Sequence, residues 1–445
     1  MSPRTHVRTE RLLSAPILPT LARLSAPGLL LVLFQSMVSI GDTYFVSRLG
    51  TEPLAGLALV FPLLMLLQMT SAGAMGGGVS SAIARALGAG EAAMARRLVV
   101  HALVIAAAMA GVFTLLLLGL GRPAYGLLGG RGAALDAALA YSNIVFGGAI
   151  TVWLANTLAS VLRGTGNMVV PAVALVAAAV LHVPLSGLLV AKIGIAGAGI
   201  AYVTTFGIAG GAMAIFVFRR ASALRPQPGD LRLEPRLFRE ILRVGALSTL
   251  SAVQTVLTAV ILTGIVGRFG APALAGYGVG VRLELLQIPL VFAVGQAMVA
   301  LVGTHVGAGR VERAKAIAWT GAALACAISL AIGAVVWLFP LAWVGLFSAD
   351  PGVLDAGSLY LRIVAPFFPF LALGISLYFA AQGAGQVLKP VLAGTARLAI
   401  ILTGAFLLSL TGTLTLSAIF ALIAAAMLAF GALSAWAVAR ARWVK

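Results

Sequence analysis

Residues able to do chemistry are few in this chain, and they lie inside apolar runs. Asp42 ends a long, predominantly apolar stretch, and Gln35, Ser39 and Asp42 recur at i, i+4 and i+7, a spacing that predicts one helical face. An ionised carboxylate near a bilayer centre costs about 2.5–3.5 kcal/mol on insertion scales, so a sequence that keeps one uses it against water, an ion or a substrate. Burial favours the neutral acid. Glu284 is the other acid expected within a span. Arg282 lies two residues away, about 200° around the helix, so the two do not pair directly. Glu284 is then either a second cation site or a lock to a neighbouring helix bearing Arg362 or Arg397. His182, in mid-span, is either a proton relay beside Asp42 or an interior histidine with satisfied hydrogen bonds. Gln68, Asn156, Tyr202, Thr205, Gln287 and Gln296 either line a path or join helices through hydrogen bonds worth about 0.6–2 kcal/mol.

The elements that must position these residues are membrane helices. The chain has 445 residues, 61% of them hydrophobic and 9% charged, whereas soluble domains are about 45–50% apolar. Apolar runs of about 20 residues recur between short polar breaks, which fits helical spans rather than an outer-membrane barrel. They predict an all-α integral membrane protein of twelve transmembrane helices in two pseudo-symmetric six-helix bundles. The expected division is a tail over 1–23, a bundle over 24–218, a linker over 219–241, a second bundle over 242–438 and a tail over 439–445. The net charge of +18 is a topology signal. Basic residues crowd alternate loops, among them Arg96, Arg97, Arg225, Arg232, Arg236, Arg310, Arg313, Arg440 and Lys445, which predicts both termini in the cytoplasm and no nucleic-acid partner. A lone Cys326 offers neither a disulfide framework nor a cysteine metal site.

The halves repeat one another at an offset of 219 to 220 residues. Arg48-Leu-Gly50 recurs as Arg268-Phe-Gly270, Gly88-Ala-Gly90 as Gly307-Ala-Gly309, Tyr141 as Tyr360, and Gly164-Thr-Gly166 as Gly383-Ala-Gly385. Each repeat has an even number of spans, so the two run parallel, related by an axis along the membrane normal, and the cleft between them is the expected substrate path. Gln35 and Ser39 have counterparts Gln254 and Thr258, but Asp42 faces Ile261. Ion coupling is therefore expected in the first bundle.

The same anchors resemble the multidrug and toxic-compound extrusion (MATE) antiporters. The carrying motifs are Asp42, Phe45, Val46, Leu49 and Gly50; Leu87 to Gly90, echoed by Val306 to Gly309; Arg163 to Asn167; and Arg282, Leu283, Glu284 and Pro289. The resemblance implies an inner-membrane secondary transporter that expels organic, often cationic, compounds in exchange for protons or sodium, with membrane lipid around it. Many proton-coupled members carry an acid in the fifth span just before a proline, where Val183 precedes Pro184 here; sodium-coupled members keep acids in the seventh and tenth spans, where the expected spans 242–266 and 355–380 hold none beyond Asp355 at an edge. No cofactor is expected. The coupling ion is expected to be a proton rather than sodium, with Asp42 the metal ligand only in the sodium case, and the protein is expected to be a monomer and not an enzyme. A flippase for a lipid-linked precursor is the alternative.

Overall fold

The computed structural model describes residues 3–220 and 224–443; Lys445, counted above with the cytoplasmic charges, lies outside the described residues. Among the described residues, eleven helices are long and apolar enough to cross a membrane: α1 (Ile17–Ser47), α2 (Thr51–Gly88), α3 (Ala92–Leu127), α5 (Val169–Ile193), α6 (Ile195–Arg219), α7 (Pro235–Gly267), α8 (Ala271–Gly307), α9 (Val311–Leu338), α10 (Pro351–Gly383), α11 (Leu388–Leu410) and α12 (Leu416–Ala439). A twelfth span, α4, is a pair of helices, Gly132–Gly147 and Ala149–Gly164, bent by 49°. The break falls at Gly147-Gly148, where a Cβ on Gly148 would lie 2.5 Å from the Val203 methyls. The described residues contain no strand, so the all-α, twelve-span class predicted from the apolar runs is what the chain adopts.

Two compact units emerge, one of Met1–Ala15 with Arg23–Thr249 and one of Pro16–Ala22 with Leu250–Lys445. The first unit has an apolar core around Trp153, Tyr141, Tyr125 and Phe146. Tyr360, Phe368 and Phe420 centre the core of the second. Small residues set the helix spacing, as expected where lipid offers no hydrophobic drive for association. One glycine is indispensable for conformation: Gly194 alone separates α5 from α6, at φ 71°, a region open to glycine and costly for other residues. Within α2 the run Met69–Met75 is π-helical, the kind of bulge that recurs at functional sites.

The connection from α6 to α7 is tied to α3 rather than left as a free linker. Asp230, at a short 3-10 turn (Pro228–Leu231), is buried and accepts Arg96 Nε–H and the Gln227 backbone N–H, each at 2.9 Å. Arg97 Nη1 donates to Glu234 Oε1 at 2.8 Å, and the Glu234 backbone N–H donates to His101 Nε2 at 2.8 Å. Burial pushes the Asp230 carboxyl up, but the Arg96 hydrogen bond, the Gln227 N–H and the charges of Arg96 and Arg97 outweigh it and hold the group below the ordinary carboxylate range. A carboxylate held low in the folded state stabilises at neutral pH and loses that contribution as pH falls through its folded value. Asp230→Asn is therefore expected to destabilise the purified protein by about 1–3 kcal/mol at pH 7. In thermal unfolding the gap from wild type should narrow as pH falls below the ordinary carboxylate range; a gap independent of pH would show that the charge is not what holds the turn.

Candidate functional site

Asp42 leaves α1 toward α5, and the chemistry of the first unit gathers there. Its Oδ1 lies 2.9 Å from His182 Nε2 and accepts the Ser186 hydroxyl at 2.5 Å. His182 and Ser186 are one turn apart, so a single face of α5 supplies both. Close approach of the two helices depends on Gly187, where a Cβ would come within 2.8 Å of the Phe45 ring, whereas a Cβ on Gly41 would meet the Val183 methyls at ordinary contact distance. Asp42 and His182 are both buried, with 7% and 2% of their surface exposed.

The rest of the imidazole is also committed. Its Nδ1 lies 3.4 Å from Thr205 Oγ1, and that hydroxyl donates to the Ala201 carbonyl at 2.8 Å. Thr205 therefore offers a lone pair to the ring, which assigns the hydrogen to Nδ1 and leaves Nε2 and Asp42 Oδ1 facing one another across the position of one proton. The Tyr202 ring stands edge-on to the imidazole, centroids 6.2 Å apart. Gln68 Nε2 donates to the Tyr202 hydroxyl. Asn156 Nδ2 donates to Gln68 Oε1 at 3.0 Å and to Ser71 Oγ at 2.8 Å, so α2, α4 and α6 share one polar cluster next to the acid. The π-helical run carries Ser71, and Gln68 immediately precedes it. Tyr141, also buried, is within electrostatic range of Asp42.

The predicted stripe on α1 divides. Gln35 and Ser39 are exposed while Asp42 is buried, because residues 182–187 of α5 cover only the Asp42 end of that face. Their counterparts in the second unit are buried: Gln254 Nε2 donates to Thr395 Oγ1 at 2.7 Å, and the Thr258 hydroxyl returns to the Gln254 carbonyl at 2.8 Å.

The second unit has its own ionisable centre. Glu284 Oε2 accepts the Tyr360 hydroxyl at 3.0 Å, and Oε1 lies 3.6 Å from Arg397 Nη2. Of the two arginines weighed as partners, Arg397 is adjacent and Arg362 is exposed. Gln287 and Gln296 are buried on α8 without partners for Gln287 Nε2 or for either amide atom of Gln296. Sequence reasoning missed Ser186, Ser71, Thr395 and the roles of Tyr141 and Tyr360. Ser186 had a signal, four residues beyond His182 on the same face.

Known proteins agree with this architecture. The MatE family model matches residues 27–188 and 248–407, one block in each half. A FAD transporter of Shewanella oneidensis is 26% identical over 379 residues, covering 83% of this chain and 82% of its own. A probable multidrug resistance protein NorM of Thermotoga maritima is 24% identical over 384 residues, covering 84% and 81%. Among solved structures, a MOP superfamily transporter from Pyrococcus furiosus superposes with a TM-score of 0.89 at 24% identity, over 97% of this chain and 98% of that one. An outward-facing MATE family transporter of the same superfamily gives 0.88 at 23% identity, over 96% and 97%.

Proposed function

The chain belongs to the MatE family, and from that premise we propose that it is a secondary active exporter that exchanges protons for organic, cationic or amphipathic compounds by alternating access. The relatives carry organic cargo by their names, FAD in one case and drugs in another. The observation that carries the proposal is the buried Asp42–His182 pair with Ser186 and Thr205 around it. With one proton shared between Nε2 and Oδ1 the pair is neutral overall; without it the pair bears one negative charge. The negative form attracts a cation, and the neutral form releases it. A proton arriving from outside therefore displaces the compound, and the protonated carrier returns to the cytoplasmic side. A membrane potential adds about 2.3 kcal/mol per 100 mV for each net charge moved.

Protons suit this centre better than sodium. Hard cations gather oxygen ligands, whereas the closest ionisable partner of Asp42 is a ring nitrogen. The basic loops support a multi-pass orientation in the cytoplasmic membrane with both termini inside. The test is efflux of a fluorescent cationic dye from vesicles of reconstituted protein, first under an imposed pH gradient and then under a sodium gradient. Uphill efflux driven by the pH gradient alone is expected. Uphill efflux driven by sodium alone would overturn the proton assignment, and transport indifferent to both would overturn the exporter reading.

A further inference from the structure

The second unit holds buried polar groups that its own residues leave unsatisfied. Arg397 has 14% of its side chain exposed, its Nε is buried without a hydrogen-bond partner, and Glu284 stands 3.6 Å away, outside hydrogen-bond reach. Glu284 is held from its other side by Tyr360. Gln287, one turn beyond Glu284 on α8, has a buried Nε2 with no partner. Gln254 commits its amide N–H to Thr395 and leaves Oε1 buried and unpaired over Gly394, one turn from Arg397 on α11.

Packing alone does not call for such a cluster. A buried polar group left unpaired destabilises, and an apolar replacement of a buried ion pair is often neutral or better. The internal repeat supplies the comparison. Arg397 corresponds to Ala178, Glu284 to Met65, and Gln287 to Gln68. Gln68 is fully engaged with Tyr202 and Asn156. One bundle thus closes its amide within the fold, while the other leaves the equivalent amide N–H unpaired one turn from Glu284, the acid that faces Arg397; the Arg397 guanidinium also lies over the Phe430 ring, 5.9 Å from its centroid.

We propose that this cluster is a subsite for a carboxylate on the transported compound, received by the Arg397 guanidinium with the Gln287 amide N–H as a second donor; it rests on the exporter reading above. A guanidinium presents parallel N–H donors that match the two oxygens of a carboxylate. Glu284 already faces the guanidinium, so a bound monocarboxylate adds one net negative charge to the cluster. A phosphate dianion would set two further charges beside Glu284 in a buried site, which disfavours it. On binding, Arg397 turns from Glu284 to the ligand, and the Tyr360 hydroxyl keeps Glu284 in place.

The test compares rhodamine B, which bears a free carboxylate, with its ethyl ester, which has the same cationic ring system. Equilibrium binding of each dye to the purified full-length protein in detergent, without any ion gradient, is the readout. Wild type should bind the acid about ten- to a hundredfold more tightly than the ester, the range for hydrogen bonds to charged groups. Arg397→Gln should bring that ratio to about one, and Glu284→Gln, which removes the competing carboxylate, should raise it. Should Arg397→Gln fail to fold, Arg397→Lys and Gln287→Leu should each lower the ratio several-fold with the melting temperature recorded alongside. Equal binding of acid and ester by wild type would overturn the subsite and leave the exporter reading standing. Binding of neither dye would overturn both.

Discussion

Asp42→Asn is expected to fold normally and to lose uphill efflux under a pH gradient by about a hundredfold, the upper end of a coupling free energy of 1–3 kcal/mol. The asparagine amide oxygen still accepts the Ser186 hydroxyl, so the contact between α1 and α5 survives. What disappears is the change of charge. A site whose affinity for the compound is the same in every ionic state shifts no equilibrium, however tightly it binds. Downhill counterflow of the dye should therefore persist in the variant while accumulation against a gradient fails, and this split separates a coupling role from a packing one. Wild-type uphill efflux in Asp42→Asn would move the coupling ion elsewhere, with Glu284 the next acid to replace.

Spans and repeat were legible because they are written along single helices. Apolar runs mark where a helix must cross, and Tyr141 with Tyr360 or Gly88 with Gly307 mark the same fold drawn twice. Asp42 stood out because an acid in an apolar run has few uses. Which helix covers which face is a different kind of fact. Spacing placed Gln35, Ser39 and Asp42 together, yet α5 shields only the last of them. Ser186 escaped attention because serine is common in membrane helices and nothing along α5 shows that Asp42 lies opposite. Glu284 left two arginines in contention, since both lie on other helices of the same bundle.

A pattern appears only when the two units are compared. Each has an acid, a tyrosine at the repeated Tyr141 or Tyr360 position, and a basic side chain from the fifth helix of its repeat, His182 on α5 and Arg397 on α11. Ile401 is the counterpart of His182, so the two basic groups sit one turn apart in the repeated frame, and the acids come from different helices, α1 and α8. The scaffold is repeated while its chemistry has diverged. An imidazole can gain and lose a proton in the physiological range, whereas a guanidinium stays charged. On the proposed reading, proton exchange belongs to the first unit, and the second contributes a fixed positive charge.

The imidazole gives the second large prediction. His182→Gln keeps an N–H able to reach Asp42 and fills similar space, but it cannot take up a proton. Efflux under a pH gradient should fall about tenfold, within a coupling free energy of about 1–3 kcal/mol, and the rate should depend less steeply on external pH. His182→Leu removes both the donor and the proton, leaving Asp42 with Ser186 alone, and should fall further, toward Asp42→Asn. A packing role predicts another order: both variants would lower the melting temperature, and the efflux that remained would keep the wild-type pH profile. Proton sharing predicts a flattened profile in His182→Gln at unchanged melting temperature. Because Thr205 fixes the ring from its other side, Thr205→Val should flatten the same profile in part while leaving Asp42 and His182 both in place.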